Sequence, residues 1–336
     1  MLLFRTATEH DLDDIYCLAL AGGAGLTTLP KDKYQLQQRI GHSLASFSRI
    51  VEQASDENYL FVLEDVNTGR VVGTSAIEAA VGYDLPFYSY KLSQVTRICH
   101  DLDTRYEYGL LNLVNDYQGK TEICTLFLDE SYRRNYNGLL LSKARFLFIA
   151  EFPERFSDLV IAEMRGVSDL QGESPFWNSL GQHFFPLSFS EADRLTVLTN
   201  KQFISDLMPR NPIYTNLLSQ AAQDVIAKPH ESTKPAMRIL EKEGFSYQGY
   251  VDIFDGGPTI EAPIAQIKTI LDSGDRVITN IIDEVNARSY FISNAKTDFR
   301  ASIGQVMETD EGCIIDTMLA ELLKVDIGDR VKVVAI

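Results

Sequence analysis

The sequence has little that would staple or anchor a fold. Its 336 residues include four cysteines, Cys17, Cys99, Cys124 and Cys313, scattered with no CxxC pair and no histidine at ligand spacing. That pattern excludes a zinc site or a secreted disulfide framework and fits a reducing cytoplasm. No long apolar run is present either. The stretch Gly138 to Ala150 is interrupted by Lys143 and Arg145, so it cannot supply the roughly 20 apolar residues of a membrane helix. The apolar segment from Ile15 to Leu26 follows Asp11, Asp13 and Asp14, where an export signal would carry positive charge. A soluble protein is expected. Positive charge is also scarce: 31 Lys and Arg against 47 Asp and Glu leave a net charge of -16. This balance disfavours nucleic acid and anionic membrane surfaces and would attract a cationic substrate. What is plentiful is apolar mass, 45% of residues, enough for one large core or two smaller ones.

The order of elements follows from periodicity and punctuation. Leu2-Leu-Phe-Arg5 reads as a strand, and the acidic first turn at Glu9-His-Asp-Leu-Asp-Asp14 opens a helix. The glycine-rich stretch from Gly22 to Leu26 follows that helix and not a strand, so it is a loop and no phosphate cradle. Tyr59–Glu64 and Val71–Glu78, joined by turn chemistry at 65–70, predict a hairpin. Glu122–Leu128 reads as a buried strand, with a helix from Gly138 to about Phe152 and a further strand at Asp158–Glu163. Residues from about 167 to 232 read as an insertion, with helices expected near Ser190–Leu195, Lys201–Leu207 and Ile213–Ile226. Thr233 as N-cap, Pro235 in the first turn and Gly244 as stop define one more helix. A strand from Phe245 to Phe254, a turn at Asp255–Pro258 and a return strand follow. The expectation is a domain over 1–272 and a small β-rich part over 273–336, with one helix near Thr317–Leu323.

Chemistry is suggested where the strand ending at Leu128 feeds a loop and a helix N-terminus, a layout that offers backbone amides and the helix dipole to a pyrophosphate. The loop reads Arg133-Arg-Asn-Tyr-Asn-Gly138, followed by Leu139-Leu-Leu. Together with the element order it resembles the GNAT superfamily of N-acyltransferases, whose loop runs Arg/Gln-x-x-Gly-x-Gly. Here Tyr136 stands at the first glycine. The segment Ala236–Phe245 resembles the late helix of that superfamily, in which many members carry a tyrosine that protonates the departing CoA thiolate. This chain has Leu240 there, and leucine transfers no proton. His230, just before the helix, is the nearest group titrating near neutral pH, although its place beside a proline also suits a capping or surface histidine.

Longer strings make the resemblance finer. Gly25–Pro30, Phe61–Asp65, Glu122–Asp129, Ala162–Val167, Ser174–Gly181, Leu207–Tyr214 and Asp252–Thr259 resemble the arginine N-succinyltransferases over roughly residues 1–262. The resemblance implies an α+β fold: a GNAT-like mixed, mostly antiparallel sheet flanked by helices, with the helical insertion and the C-terminal β-rich part. It implies transfer of the succinyl group of succinyl-CoA to the α-amine of L-arginine in the cytoplasm, in arginine degradation, with no prosthetic group and no metal. It also implies that His230 is catalytic, that the Leu126 amide meets the thioester oxygen and the Leu128 amide the pantetheine, and that Arg133, Arg134, Asn137 and Gly138 hold the pyrophosphate. Glu163, Asp252, Asp255 and Glu261 are available for a guanidinium, and Arg165 for a carboxylate. Phe176 and Trp177 are expected to pack. Three alternatives stay open: succinylation of ornithine or another basic amino acid, a catalytically weak subunit that binds acyl-CoA beside a paralogue, and a non-catalytic amino-acid sensor that binds arginine without dependence on CoA. A homo-oligomer or a hetero-oligomer with a paralogue is expected.

Overall fold

The computed structural model describes residues 1–22, 28–83, 85–169, 172–189, 191–192 and 207–336. The glycine-rich stretch, part of the string Gly25–Pro30 and most of the helices expected near Ser190–Leu195 and Lys201–Leu207 lie outside them. Among the described residues, strands β1 (Leu2–Thr6), β2 (Asn58–Asp65), β3 (Arg70–Glu78), β4 (Ser89–Cys99), β5 (Thr104–Val114), β6 (Thr121–Leu128), β7 (Leu159–Glu163), β8 (Ile213–Tyr214), β9 (Ser246–Val251) and β10 (Pro258–Pro263) build the main sheet. Its order is β1-β2-β3-β6-β7-β10-β9-β4-β5-β8. Every pairing in it is antiparallel except β6 with β7.

Helix α3 (Asn137–Glu151) covers one face, burying Leu140, Leu141, Ala144, Leu147 and Phe148 against Phe61, Val72, Ile123, Ala162 and Ile260. Helices α1 (Leu12–Ala21) and α2 (Lys33–Ser48) cover part of the other, packing Ile15, Leu18, Leu36 and Ile40 on Leu60, Val62, Ala76 and Cys124. The hairpin expected at Tyr59–Glu78 is present. The long β4–β5 hairpin was not foreseen, because most of its side chains are at least partly solvent-facing and show no apolar alternation.

Several local expectations change. Between Ile213 and Ile226 the chain forms a two-residue strand, a 3-10 turn and a short helix, Gln220–Val225, since Ser219 caps a new helix start by accepting from the Ala222 amide. The helix after His230 spans Lys234–Lys242, but Thr233 makes no side-chain cap bond. Gly244 ends it in a left-handed conformation, φ +101. The turn after β9 occupies 252–257, because both Asp252 and Asp255 are consumed in folding it. Phe176 and Trp177 are fully buried, as expected.

The C-terminal β-rich part is a closed barrel. Strands β11 (Gly274–Ile282), β12 (Arg288–Asn294), β13 (Arg300–Thr309), β14 (Gly312–Asp316) and β15 (Arg330–Ala335) follow the order β12-β15-β11-β14-β13, and β13 pairs back to β12. Ile278, Ile292, Ile315 and Val331 pack with Leu319 and Leu323 of the helix Thr317–Leu323. β13 also pairs with β1, and Phe291, Phe299, Ala301 and Val334 belong to the same apolar cluster as α3. Barrel and sheet therefore share a core.

Candidate active site

β6 and β7 are paired only at Thr121↔Val160 and Glu122↔Ile161. Beyond those two pairs β7 follows β10 and β6 follows β3, so the sheet opens into a V. Just past the vertex β6 bulges: the register against β3 shifts between Thr74 and Ala76, and Thr125 sits at φ +56. That conformation is rare for a β-branched residue. It is held by the Thr74 hydroxyl donating to the Thr125 carbonyl (3.0 Å) and by Arg39 Nη2 donating to Thr125 Oγ1 (3.1 Å).

The bulge sets the direction of the backbone that follows. The Asp129 amide donates to the Val72 carbonyl on the β3 side, at 2.8 Å. Strand alternation then turns the amides of Leu128 and Leu126 to the opposite edge, into the V. The Leu128 carbonyl faces the same way and accepts from Arg133 Nε at 3.0 Å.

At the mouth of the V the loop keeps a glycine-like path without its first glycine. Asn135 and Tyr136 are left-handed, at φ +50 and +63, and the Tyr136 ring is exposed. The Asn137 amide donates to the Arg134 carbonyl (3.0 Å), and Asn137 Nδ2 donates to the Tyr132 carbonyl (2.9 Å). Asn137 therefore works as a brace for the loop. The guanidinium of Arg133 lies over the Phe127 ring, and Arg133 and Arg134 are both exposed. A Cβ on Gly138 would meet only Leu128 Cδ2, at 4.0 Å, so nothing in the protein itself demands glycine there.

His230 stands on the opposite wall. Its amide donates to the Arg165 carbonyl (2.8 Å), just past the end of β7, and Pro229 bridges Gly166. The segment is pinned below by the Ala227 amide donating to the Gly256 carbonyl at 2.8 Å. Ser232 contacts ring Nδ1 with its hydroxyl (2.7 Å) and its amide (3.2 Å), so Nδ1 is the ring nitrogen engaged by the protein. Partial burial and then the neighbouring Arg165 cation pull the imidazole below its ordinary pKa, which favours the neutral ring. Arg165 Nη2 also donates to Ser168 Oγ at 2.7 Å. Leu240 is buried in the core beside α3.

The acidic candidates divide. Asp255 is buried, accepting from the Gly166 amide (2.6 Å) and the Gly257 amide (2.8 Å). Burial and the neighbouring Asp252 push its carboxyl well above the usual range. It ties the β9–β10 turn to the end of β7 and does not face a substrate. Asp252 Oδ1 accepts from the amides of Phe254 and Asp255. Glu261 accepts from the Tyr117 hydroxyl. Register places Glu78, Glu122, Ile161 and Glu261 in one row across β3, β6, β7 and β10, with Glu163 two residues further along β7 on the same face. That face is the one opposite α3, because Val160, Ala162 and Ile260 pack toward α3. Cys124 shares it; burial and then Glu122 and Glu78 push its thiol up to about 12, which leaves it unreactive.

Sequence reasoning missed Thr125 and Ser232. A threonine does not advertise a left-handed bulge, whereas Ser232 was within reach as a hydroxyl two residues after the candidate histidine.

Comparison with known proteins agrees with this geometry. The family model described as arginine N-succinyltransferase beta subunit matches residues 2–269, and the model of its C-terminal domain matches 275–335. The arginine N-succinyltransferase subunit beta of Pseudomonas aeruginosa is 44% identical over 334 residues, 99% of this chain and 98% of that one. The arginine N-succinyltransferase of Photorhabdus laumondii is 43% identical, covering 100% of this chain and 98% of its own. Among solved structures, arginine/ornithine succinyltransferase subunit AI from Pseudomonas aeruginosa superposes with a TM-score of 0.91 at 35% identity, covering 100% of this chain and 98% of that one. With matches that run the length of both the sheet and the barrel, the chain belongs to the arginine N-succinyltransferase family of acyltransferases.

Proposed function

We propose that this protein transfers the succinyl group of succinyl-CoA to the α-amine of L-arginine, giving N2-succinylarginine and CoA in cytoplasmic arginine degradation. The observation that carries the reading is the V itself, with the Leu126 and Leu128 amides directed in from one wall and His230 held on the other. In this reading the Leu128 amide pairs with the pantetheine chain as a strand would, and the Leu126 amide donates to the thioester oxygen as negative charge develops there. Arg133, Arg134, the first-turn amides of α3 and the bare Cα of Gly138 receive the pyrophosphate. It is the arrangement that the resemblance to the GNAT superfamily implies.

The neutral α-amine attacks the thioester carbonyl carbon and forms the C–N bond. His230 Nε2 takes the proton the nitrogen sheds and passes it to sulfur as the C–S bond breaks, so the ring ends as it began. Leu240 cannot take part, which moves the proton chemistry to His230. We further assign residues 1–272, with the insertion at about 167–232, to the acyltransferase unit and 273–336 to the barrel.

The beta-subunit name of the family and of one relative favours a second reading, a subunit that works beside a paralogue, and the arginine/ornithine name of the solved relative favours acceptance of ornithine as well. A thiol-release assay with arginine and ornithine against succinyl-CoA and acetyl-CoA separates these. Release with succinyl-CoA and arginine by the purified chain alone is expected, and no release at high enzyme concentration would defeat the leading reading.

A further inference from the structure

Thr125 holds a conformation that a threonine does not adopt unaided. A β-branched side chain at φ +56 crowds its own backbone. The shift in register at this point, between Thr74 and Ala76 on the β3 side, nevertheless sets the direction of the Leu126 amide that follows. A strained bulge in an otherwise regular strand relaxes unless its neighbours oppose it.

The opposition comes from α2. Arg39 reaches from that helix to β6 and donates from Nη2 to Thr125 Oγ1 (3.1 Å), and the same nitrogen meets Glu78 Oε1 of β3 at 3.2 Å. Glu78 Oε1 in turn accepts from Asn58 Nδ2 of β2, so the guanidinium is tied to the two strands that precede β6 in the sheet. Thr74 on β3 closes the other side, its hydroxyl donating to the Thr125 carbonyl (3.0 Å). For stability alone the arrangement is poor. Arg39 Nε is buried with no partner among the described residues, a cost that an arginine serving only to hold the fold would avoid. Backbone strain fixed at such a cost is characteristic of functional sites.

We propose that Arg39 is a positioning residue for acyl transfer: by holding Thr125 in the left-handed bulge it aims the Leu126 amide at the thioester oxygen. The inference rests on the succinyltransfer reading above and deepens it, tracing the oxyanion donor to a helix on the face of the sheet opposite α3. Arg39 acts here through Thr125 and is assigned no contact with either substrate.

The test compares Arg39→Gln, Thr125→Val and Thr125→Gly, with succinyl-CoA and arginine as substrates. Arg39→Gln and Thr125→Val each remove the bond between Nη2 and Oγ1 and should each lower kcat about tenfold, with the KM for succinyl-CoA within about threefold of the unchanged enzyme, as for an interaction felt in the transition state. Combined, they should again lower kcat only about tenfold, since one bond cannot be lost twice. Glycine takes positive φ without strain, so Thr125→Gly should exceed Thr125→Val in kcat by about fivefold although it lacks both hydroxyl and methyl. In the glycine background Arg39→Gln should cost less than about twofold. Thermal unfolding checks each fold, and if Arg39→Gln does not fold, the two Thr125 variants carry the test between them. A glycine variant no faster than the valine one, losses that multiply to about 100-fold, or a loss confined to KM overturns the inference. A native protein inert toward succinyl-CoA and arginine overturns the functional reading instead. The bulge is then judged from a crystal structure of Arg39→Gln: Thr125 relaxed to extended backbone supports the positioning role, and Thr125 still at positive φ overturns it.

Discussion

The two walls of the V are built by different means. The β6–α3 wall is one continuous stretch, Thr121 to Glu151, in which a bulge, a loop and a helix start follow one another along the chain. The β7 wall is an assembly. Arg165, the segment 227–230 and the turn 252–257 converge there from positions far apart in sequence, joined by the Asp255 carboxylate and by backbone bonds. A wall made of one segment can offer its backbone as the ligand. A wall made of three must use side chains to hold itself together, and what remains for the proposed chemistry is whatever those side chains leave exposed, in our reading His230 Nε2.

This contrast can be broken by experiment. The largest effect should come from the chemical group on the assembled wall: His230→Ala is expected to lower kcat about 1000-fold, with CoA binding by calorimetry unchanged because the other wall is intact. A comparable loss of CoA affinity would mean that the walls are not separable.

A matched pair of glycines gives the next effect. On the assembled wall a Cβ at Gly257 would press into the Met164 carbonyl and the Gly166 amide, so Gly257→Ala should cost about 2 to 3 kcal/mol of stability in urea unfolding. On the continuous wall Gly138→Ala meets nothing closer than 4.0 Å. It should leave stability unchanged while raising the KM for succinyl-CoA.

The smallest effect concerns pH. Burial and then Arg165 hold the His230 pKa below its ordinary value, so the neutral ring proposed to accept the proton persists to lower pH. Arg165→Gln removes the cation and lets that pKa rise. The acid limb of the pH–kcat profile should then move to higher pH, and a limb that moves down or stays would assign it to another group.

The same contrast explains what could be read from the sequence. The continuous wall was legible because strand, loop and helix signals stand in order between Glu122 and Ala150, and the C-terminal helix at Thr317–Leu323 was legible for the same reason. Asp255 was not. As a letter it is one more acid available to a cation, and only the convergence of Gly166 and Gly257 on it shows that it is spent on structure. Tyr136 is a second case: a side chain stands in a glycine's place, yet the backbone takes the left-handed conformation regardless. Barrel closure was hidden too, since β12 and β13 pairing carries no local mark.

The pairing of β13 with β1 has a consequence for association between chains. Phe4 lies across from Ala301, the Thr6 amide donates to the Phe299 carbonyl, and Ser302 Oγ donates to the Leu2 carbonyl. β1 therefore depends on a strand 300 residues further along the chain to cover its outer edge. Without that cover β1 presents a row of unsatisfied backbone groups, the kind of template that recruits another chain. The barrel thus acts as a clasp on an edge that would otherwise be open to pairing with another chain.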